Sequence, residues 1–169
     1  MLKKAALFIV SAALFTGLLS MSGGVFAEVD DQYDLKVKQG EICPVDSAGQ
    51  CGFAKAKGQL RVLASDDGEE SGDGRLVITI QGFNSQQEDS SLISNSLEWI
   101  ITSDAFELNG HAQDQDGNSF NIDMNALEIH EKKKKTEMTL QIMLERVSDG
   151  AKFTIETSSS LITSPLPPG

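Results

Sequence analysis

Apolar side chains that recur at every second residue are the feature of this 169-residue sequence that most limits its fold. The clearest run is formed by Met138, Leu140, Ile142 and Leu144. Such spacing places apolar side chains on one face of a β-strand, whereas an amphipathic helix would repeat them every three to four residues. Similar short runs recur between Tyr33 and the C-terminal region, and none has helical spacing. The sequence therefore predicts an all-β, antiparallel fold.

Turn residues between the runs predict how the strands pair. Asp149-Gly150 is typical of a two-residue hairpin turn, which would set Leu144 opposite Ile155. A second turn at Ser103-Asp104 would set Ile101 opposite Phe106. Across Asp114–Asn118, a two-residue turn at Asp116-Gly117 would pair inward side chains with outward ones. Inward side chains face one another only if Gln115–Gly117 form a three-residue loop in which Gly117 has a left-handed backbone conformation. A meander of about five strands follows from about residue 96 to 159. With the N-terminal runs, the sequence predicts a sandwich of about eight strands, with a meander barrel as the alternative.

Other connections are expected to be longer. Lys132–Lys135 is interpreted as a four-residue loop that sets Leu127 opposite Leu140. The apolar alternation shifts by one residue between Met124 and Leu127, and this shift predicts a β-bulge there. The acidic, Gly-rich segment Asp66–Gly74 is predicted to be a long hairpin loop. The polar segment Asn84–Asn95 is predicted to be a connection between strands.

The N-terminus has the pattern of a secretory signal peptide. A basic start, an uncharged segment from Ala5 to Leu19 and the small-residue site Val25–Ala27 predict that residues 1–27 are cleaved. The alternative is an uncleaved anchor, but the apolar segment is shorter than the roughly 20 residues of a spanning helix. Residues 28–160 would then form one β domain, and the Pro-rich tail 161–169 is expected to be flexible.

Cys43 and Cys51 are the two cysteines of the chain. An even number of cysteines in an exported chain predicts a disulfide bond, here one that closes a short loop of turn-forming residues. A metal or redox pair is disfavoured because no His lies nearby and because the spacing is not that of a redox motif. Both the bridge and the signal predict a secreted or extracytoplasmic protein, including attachment at the cell surface.

Charge limits the partners of this chain. Its 25 acidic residues against 14 basic ones, with a net charge of -11, exclude a general nucleic-acid binder. A protein or surface-polymer contact stays open, and the sequence names no ligand. Lys132–Lys135 could touch an anionic polymer but is favoured as a solubilising tip. The weak calcium candidates are the carboxylates of one acidic segment: Asp66, Asp67, Glu69, Glu70 and Asp73.

Other chemistry-bearing residues are interpreted as structural. Ala112–Asp123 partly matches an EF-hand loop, but Ala112 cannot ligate a metal and a hairpin is favoured. His111 and His130 are expected at the surface rather than in a copper site with Met143. Trp99 is expected in the core.

No catalytic motif occurs in the sequence, so no catalytic, cofactor-binding or firm metal-binding residue is predicted. The favoured function is a non-enzymatic extracytoplasmic or cell-surface binding module. The alternatives are a structural or assembly subunit that pairs through a sheet edge, and a secreted hydrolase.

We expect the protein secreted by its native host to begin at Glu28 and to carry the Cys43–Cys51 bridge. Intact-mass measurement should show the loss of residues 1–27 and of two protons. Two thiols that are alkylated without a reductant would contradict the bridge, and a mass that includes residues 1–27 would favour an anchor.

Overall fold

Eight antiparallel strands form one closed sheet in a computed structural model, which describes residues 31–46, 48–82 and 89–165. The strands are β1 Asp31–Pro44, β2 Gly52–Asp66, β3 Glu69–Gln81, β4 Ser90–Ile101, β5 Phe106–Gln113, β6 Ser119–Lys132, β7 Lys135–Arg146 and β8 Lys152–Pro165. Each strand pairs with the next, and β8 returns to pair with β1. In these ranges no helix is long and apolar enough to cross a membrane.

The predicted antiparallel all-β domain of about eight strands is confirmed, and its architecture is the meander barrel. The favoured sandwich is wrong because the first and last strands are hydrogen-bonded neighbours, with Leu35 opposite Leu161. A sandwich would instead divide the strands between two sheets that each have two edges.

The C-terminal boundary also differs from the prediction. β8 continues to Pro165, five residues past the expected end of the domain at 160, and Leu161 is buried. Residues 161–165 therefore belong to the barrel, while the last four residues lie outside the described ranges. The expected signal peptide and its cleavage site lie outside them as well.

The alternating apolar side chains fill the inside of the barrel as one cluster. An eight-stranded barrel is just wide enough for side chains to fill. Every strand contributes, and each fully buried aliphatic side chain stabilises the fold by about 1.5–3 kcal/mol. Members that are almost completely shielded from solvent include Leu35, Ile42, Leu60, Leu76, Ile78, Leu97, Phe106, Leu108, Met124, Leu140, Ile142 and Leu144.

Two of the predicted hairpin registers are confirmed. Ile101 pairs with Phe106. Ala112 pairs with Phe120, and Gly117 has a φ of +84° in the turn between them. The Asp114 carboxylate accepts backbone N–H bonds within this turn, including one from Asp116 at 2.9 Å. The segment that resembled a calcium loop is thus a hairpin whose Asp serves as a turn acceptor.

The predicted long acidic loop Asp66–Gly74 is wrong. β2 and β3 run on to a two-residue turn at Asp67-Gly68, whose φ values of 43° and 88° are both positive. Asp-Gly is suited to this turn type because both of its central residues need positive φ. The alternation was hidden because Gly72 and Gly74 occupy inward positions.

Two other registers are corrected. Lys132 pairs with Lys135, so the tip has two residues rather than four, and Ile129 faces Met138. A bulge between Ala126 and Glu128 sets Ala126, not Leu127, opposite Leu140. Leu127 is the extra residue and is 51% exposed.

At the β7–β8 turn, Leu144 pairs with Phe153 instead of Ile155. The shift of two residues keeps every side chain on its predicted face. Arg146 and Asp149 form an ion pair of 2.7 Å within this longer turn.

β4 also begins earlier than expected. Residues 90–95 of the predicted polar connection form its first part, with Leu92 and Ser94 buried.

Gly72 makes room for the single tryptophan of the chain. It pairs with Trp99, whose indole N–H donates to the carbonyls of Asp73 at 3.0 Å and Arg61 at 3.3 Å. A Cβ atom on Gly72 would lie 1.8 Å from the Arg61 oxygen and 3.0 Å from the indole nitrogen. The absence of a side chain at Gly72 therefore lets Trp99 approach the backbone, which satisfies its buried polar atom.

We expect Gly72→Ala to lower the free energy of unfolding by about 3 kcal/mol, since the new methyl group must displace both backbone and Trp99. Gly117→Ala is the comparison, because no atom lies within 4 Å of its Cβ position and only its positive φ is penalised. That variant should lose about 1 kcal/mol. Urea unfolding midpoints measure both, and equal losses would contradict this account of Gly72.

Candidate functional site

The predicted Cys43–Cys51 disulfide is present and joins the end of β1 to the residue before β2. Glu41 lies beside the two sulfur atoms, and these three side chains are the one metal-type cluster that the described residues form. Because the sulfur atoms are bonded to each other, they are not thiolate ligands. The bridge is compatible with an extracellular location.

The five acidic candidates do not share one site. Asp66 and Asp67 lie at the tip of the β2–β3 hairpin. Glu70 points to the barrel interior and accepts a hydrogen bond from Tyr33, whereas Asp73 points outward and pairs with Arg61 at 2.6 Å. Strand alternation thus directs neighbouring carboxylates to opposite faces. Weak calcium binding by this segment stays a prediction.

Tyr33, Glu70 and Trp99 form a small cluster at the end of the barrel that carries the β2–β3 turn. The Tyr33 hydroxyl donates to Glu70 at 2.5 Å, and its ring meets Trp99 edge-on with centroids 5.8 Å apart. Burial and the hydrogen bond to Glu70 hold the pKa of Tyr33 far above its ordinary value. The phenol is therefore kept protonated as a donor, and the cluster serves to close this end of the core.

The basic tip carries two kinds of lysine. Lys132 and Lys135 both bind Glu137, and these hydrogen bonds lower the pKa of its carboxyl to about 2. Lys133 and Lys134 form the two-residue turn and are exposed. The solubilising role of this tip stays a prediction.

A polar cleft of about 580 Å³ lies on the outer face of β4 to β8. Cross-strand pairing aligns its side chains in two rows: Ser96, His111, Asn121, Glu145 and Lys152 in one, and Glu98, Asn109, Asp123 and Met143 in the other. The ring nitrogen Nδ1 of His111 lies 2.8 Å from the amide oxygen of Asn121. This cleft supplies hydrogen-bonding groups for a polar ligand.

His130 is not part of this cleft. It lies nine residues beyond Asn121 on β6, which separates it from His111 by about 30 Å along the strand. Its ring lies 3.8 Å from the carboxylate of Glu128. The structure thus brings His111 and Met143 to one cleft and leaves His130 apart.

A basic patch lies on the outer side of β1, β2 and β3. Its members are exposed cationic side chains: Lys36, Lys38, Lys55, Lys57 and Arg75. Lys36 is directly opposite Lys57 in the sheet, and Lys55 follows two residues away on the same face of β2. Directly opposite Cβ atoms lie about 4.5–5.5 Å apart, and like charges in this position destabilise a sheet.

One carboxylate, Asp34, lies beside this patch, but it forms no ion pair with a patch member among the described residues. The ion pairs among the described residues involve Arg61, Arg146, Lys132, Lys135, Lys152 and His130, and none involves a member of the patch. Arg75 is instead held by the Gln59 amide oxygen, at 2.6 and 3.1 Å. In a chain with a net charge of -11, these five cations without ion pairs among the described residues form a local concentration of positive charge.

Sequence reasoning missed this patch because its members are up to about forty positions apart. The available signal was the repeated i, i+2 spacing of Lys36 with Lys38 and of Lys55 with Lys57. In a strand that spacing places both charges on one face. Only the β1–β2 register shows that the two lysine pairs are neighbours.

Comparison with models of known protein families finds no match. Comparison with curated proteins finds no significant match either.

The single tyrosine allows a direct test of the Tyr33 cluster. Since the pKa of Tyr33 is raised in the folded protein, its contribution to stability is complete below pH about 10 and is lost as the pH rises above that value. We expect tyrosinate absorbance to appear only when the protein unfolds at alkaline pH. Trp99 fluorescence monitors that unfolding in the same titration. Ionisation near pH 10 in a protein that is still folded would contradict the buried donor.

Proposed function

We propose that this protein is an exported, non-enzymatic binding module that holds an anionic ligand on its basic patch. The observation that carries this proposal is the direct pairing of Lys36 with Lys57, with no ion pair to either among the described residues. An anion placed between the two ammonium groups would relieve their repulsion. Binding of an anion would therefore offset the lysine–lysine repulsion that destabilises the free protein.

The outer face is favoured over the barrel interior as the site of binding. Most inward positions are taken by apolar side chains that bury one another, and Glu70, the inward carboxylate described above, is already bound by Tyr33. Ligands with charge need such outward groups because an unpaired buried charge is costly. The disulfide supports an extracytoplasmic setting, and the signal peptide expected at residues 1–27 would deliver the chain there.

Closure of the barrel argues against assembly through a sheet edge. The alternative function, an assembly subunit, would need a strand with an unpaired edge. In the structure Tyr33 pairs with Leu60 on one side and Thr163 on the other, so β1 is paired along both sides there. A closed barrel has no edge to offer a neighbour.

Binding of dextran sulfate, with neutral dextran as the ligand control, tests the proposal by calorimetry. We expect binding that weakens as salt is raised. Replacing Lys36 and Lys57 by Gln should weaken it about thirtyfold, at about 1 kcal/mol per lysine. The same variant should unfold at an equal or higher temperature, because the repulsion between the two lysines is gone.

Lys133→Gln with Lys134→Gln is the matched control, since it removes two exposed charges at the β6–β7 turn that form no ion pair among the described residues either. We expect it to leave binding nearly unchanged. An equal loss of affinity for dextran sulfate in both variants would mean that binding depends on net charge alone, and would contradict a specific patch.

A further inference from the structure

Two exposed apolar side chains continue the row of the paired lysines. Lys36 pairs with Lys57, Lys57 with Val77, and Val77 with Ile93 across four consecutive strands. Val77 is 42% exposed and Ile93 is 49% exposed. The row thus passes directly from two ammonium groups to two adjacent hydrocarbon side chains on the outside of the barrel.

A β-bulge makes this part of the surface concave. The register between β3 and β4 shifts opposite Arg75, and the extra residue leaves both Asn95 and Ser96 exposed. Bulges bend the strand that carries them and increase its local twist. The resulting cleft has a volume of about 390 Å³, within the range of small-molecule sites.

The charges around this cleft are unequal. Its ionisable lining residues are Lys36, Lys57, Arg75 and Asp34. Asp34 lies in the next row, opposite Gln59, which is the residue that holds Arg75. An anionic group at the cleft is therefore attracted toward the Lys36–Lys57 row, which is also the row that leads to Val77 and Ile93.

We infer that the ligand of the basic patch is an anionic amphiphile. Its carboxylate or phosphate group would bind between Lys36 and Lys57, and its apolar chain would lie over Val77 and Ile93. This inference rests on the proposed function and adds the class of ligand. Such a ligand would complement both parts of the surface, the cationic patch through its charge and the adjacent hydrocarbon side chains through its apolar chain.

The exposed apolar side chains beside the patch indicate that the ligand has an apolar part as well as a charged one. A purely polar polyanion would leave these side chains uncovered. Val77 and Ile93 would stay in contact with water in such a complex, whereas an apolar chain would remove their surface from water. Four of the strongly exposed large apolar residues of the described chain, Phe53, Leu63, Val77 and Ile93, lie on the three neighbouring strands β2 to β4. Isolated exposed apolar residues are ordinary, but Val77 and Ile93 are paired with each other and line a cleft that holds three cations, which indicates a binding surface.

Calorimetry with monomeric laurate tests the inference on the intact disulfide-bonded protein. The variant Val77→Thr/Ile93→Thr keeps β-branched side chains, so the strands should still form. We expect it to bind laurate about tenfold more weakly, since methyl groups in an apolar contact surface have effects of this size. Its affinity for dextran sulfate should not change.

Leu127→Thr/Val147→Thr is the matched control, because these side chains are 51% and 57% exposed on other parts of the barrel. It should bind laurate as the wild type does. Sedimentation with phosphatidylcholine vesicles, with and without phosphatidylglycerol, identifies the source of the anionic group. Binding to the anionic vesicles alone assigns a bilayer headgroup, binding to laurate alone assigns a free fatty acid, and either supports the inference.

Two results would overturn the inference while leaving the proposed function intact. One is lysine-dependent binding of dextran sulfate with no binding of laurate or anionic vesicles. The other is laurate binding that is lost with Lys36→Gln/Lys57→Gln but unchanged in Val77→Thr/Ile93→Thr. If no anionic probe binds, the proposed function and the inference both fail.

Discussion

Backbone hydrogen bonds between β1 and β8 close the sheet, and the other features of the barrel depend on this closure. Gln32 and Ser164 are 132 positions apart in the chain but are paired neighbours at the seam. Once the seam forms, each strand has a partner on both sides, and side chains separate into a mainly apolar interior and a largely charged exterior. Ligand contact is thereby assigned to the outer surface, where rows of side chains cross from strand to strand.

Local pattern was sufficient to predict most of the C-terminal strands, but not the closure. The loop at Gln115–Gly117 and the pairing of Ile101 with Phe106 follow from parity and turn chemistry, which act over a few residues. The choice between sandwich and barrel depends on β1 pairing with β8, which no short segment encodes. Errors arose where a bulge or a glycine interrupted the alternation, as at Leu127 and Gly72.

The candidate site was less accessible to sequence reasoning than the fold. A cluster that is contiguous in sequence, such as Lys132–Lys135, is easily identified as a candidate binding site. In the structure Glu137 binds two of its lysines, so half of its charge is already paired. The basic patch instead depends on register, because Lys36 meets Lys57 only through the pairing of β1 with β2. Ile93 was assigned to a polar connection, since the bulge after Ser94 conceals the strand that presents it.

The seam between β1 and β8 also places the two ends of the described chain side by side, with Asp31 opposite Pro165. The cyclic order of the strands therefore has no fixed starting point. A short linker could join these ends, and new termini could open at the exposed Gln115–Gly117 turn, as in a circular permutant. Such a chain would keep every strand neighbour and every outward row. Its β1–β8 pairing would become a local hairpin, so the permutation would alter the order of folding events rather than the surface that the folded barrel presents.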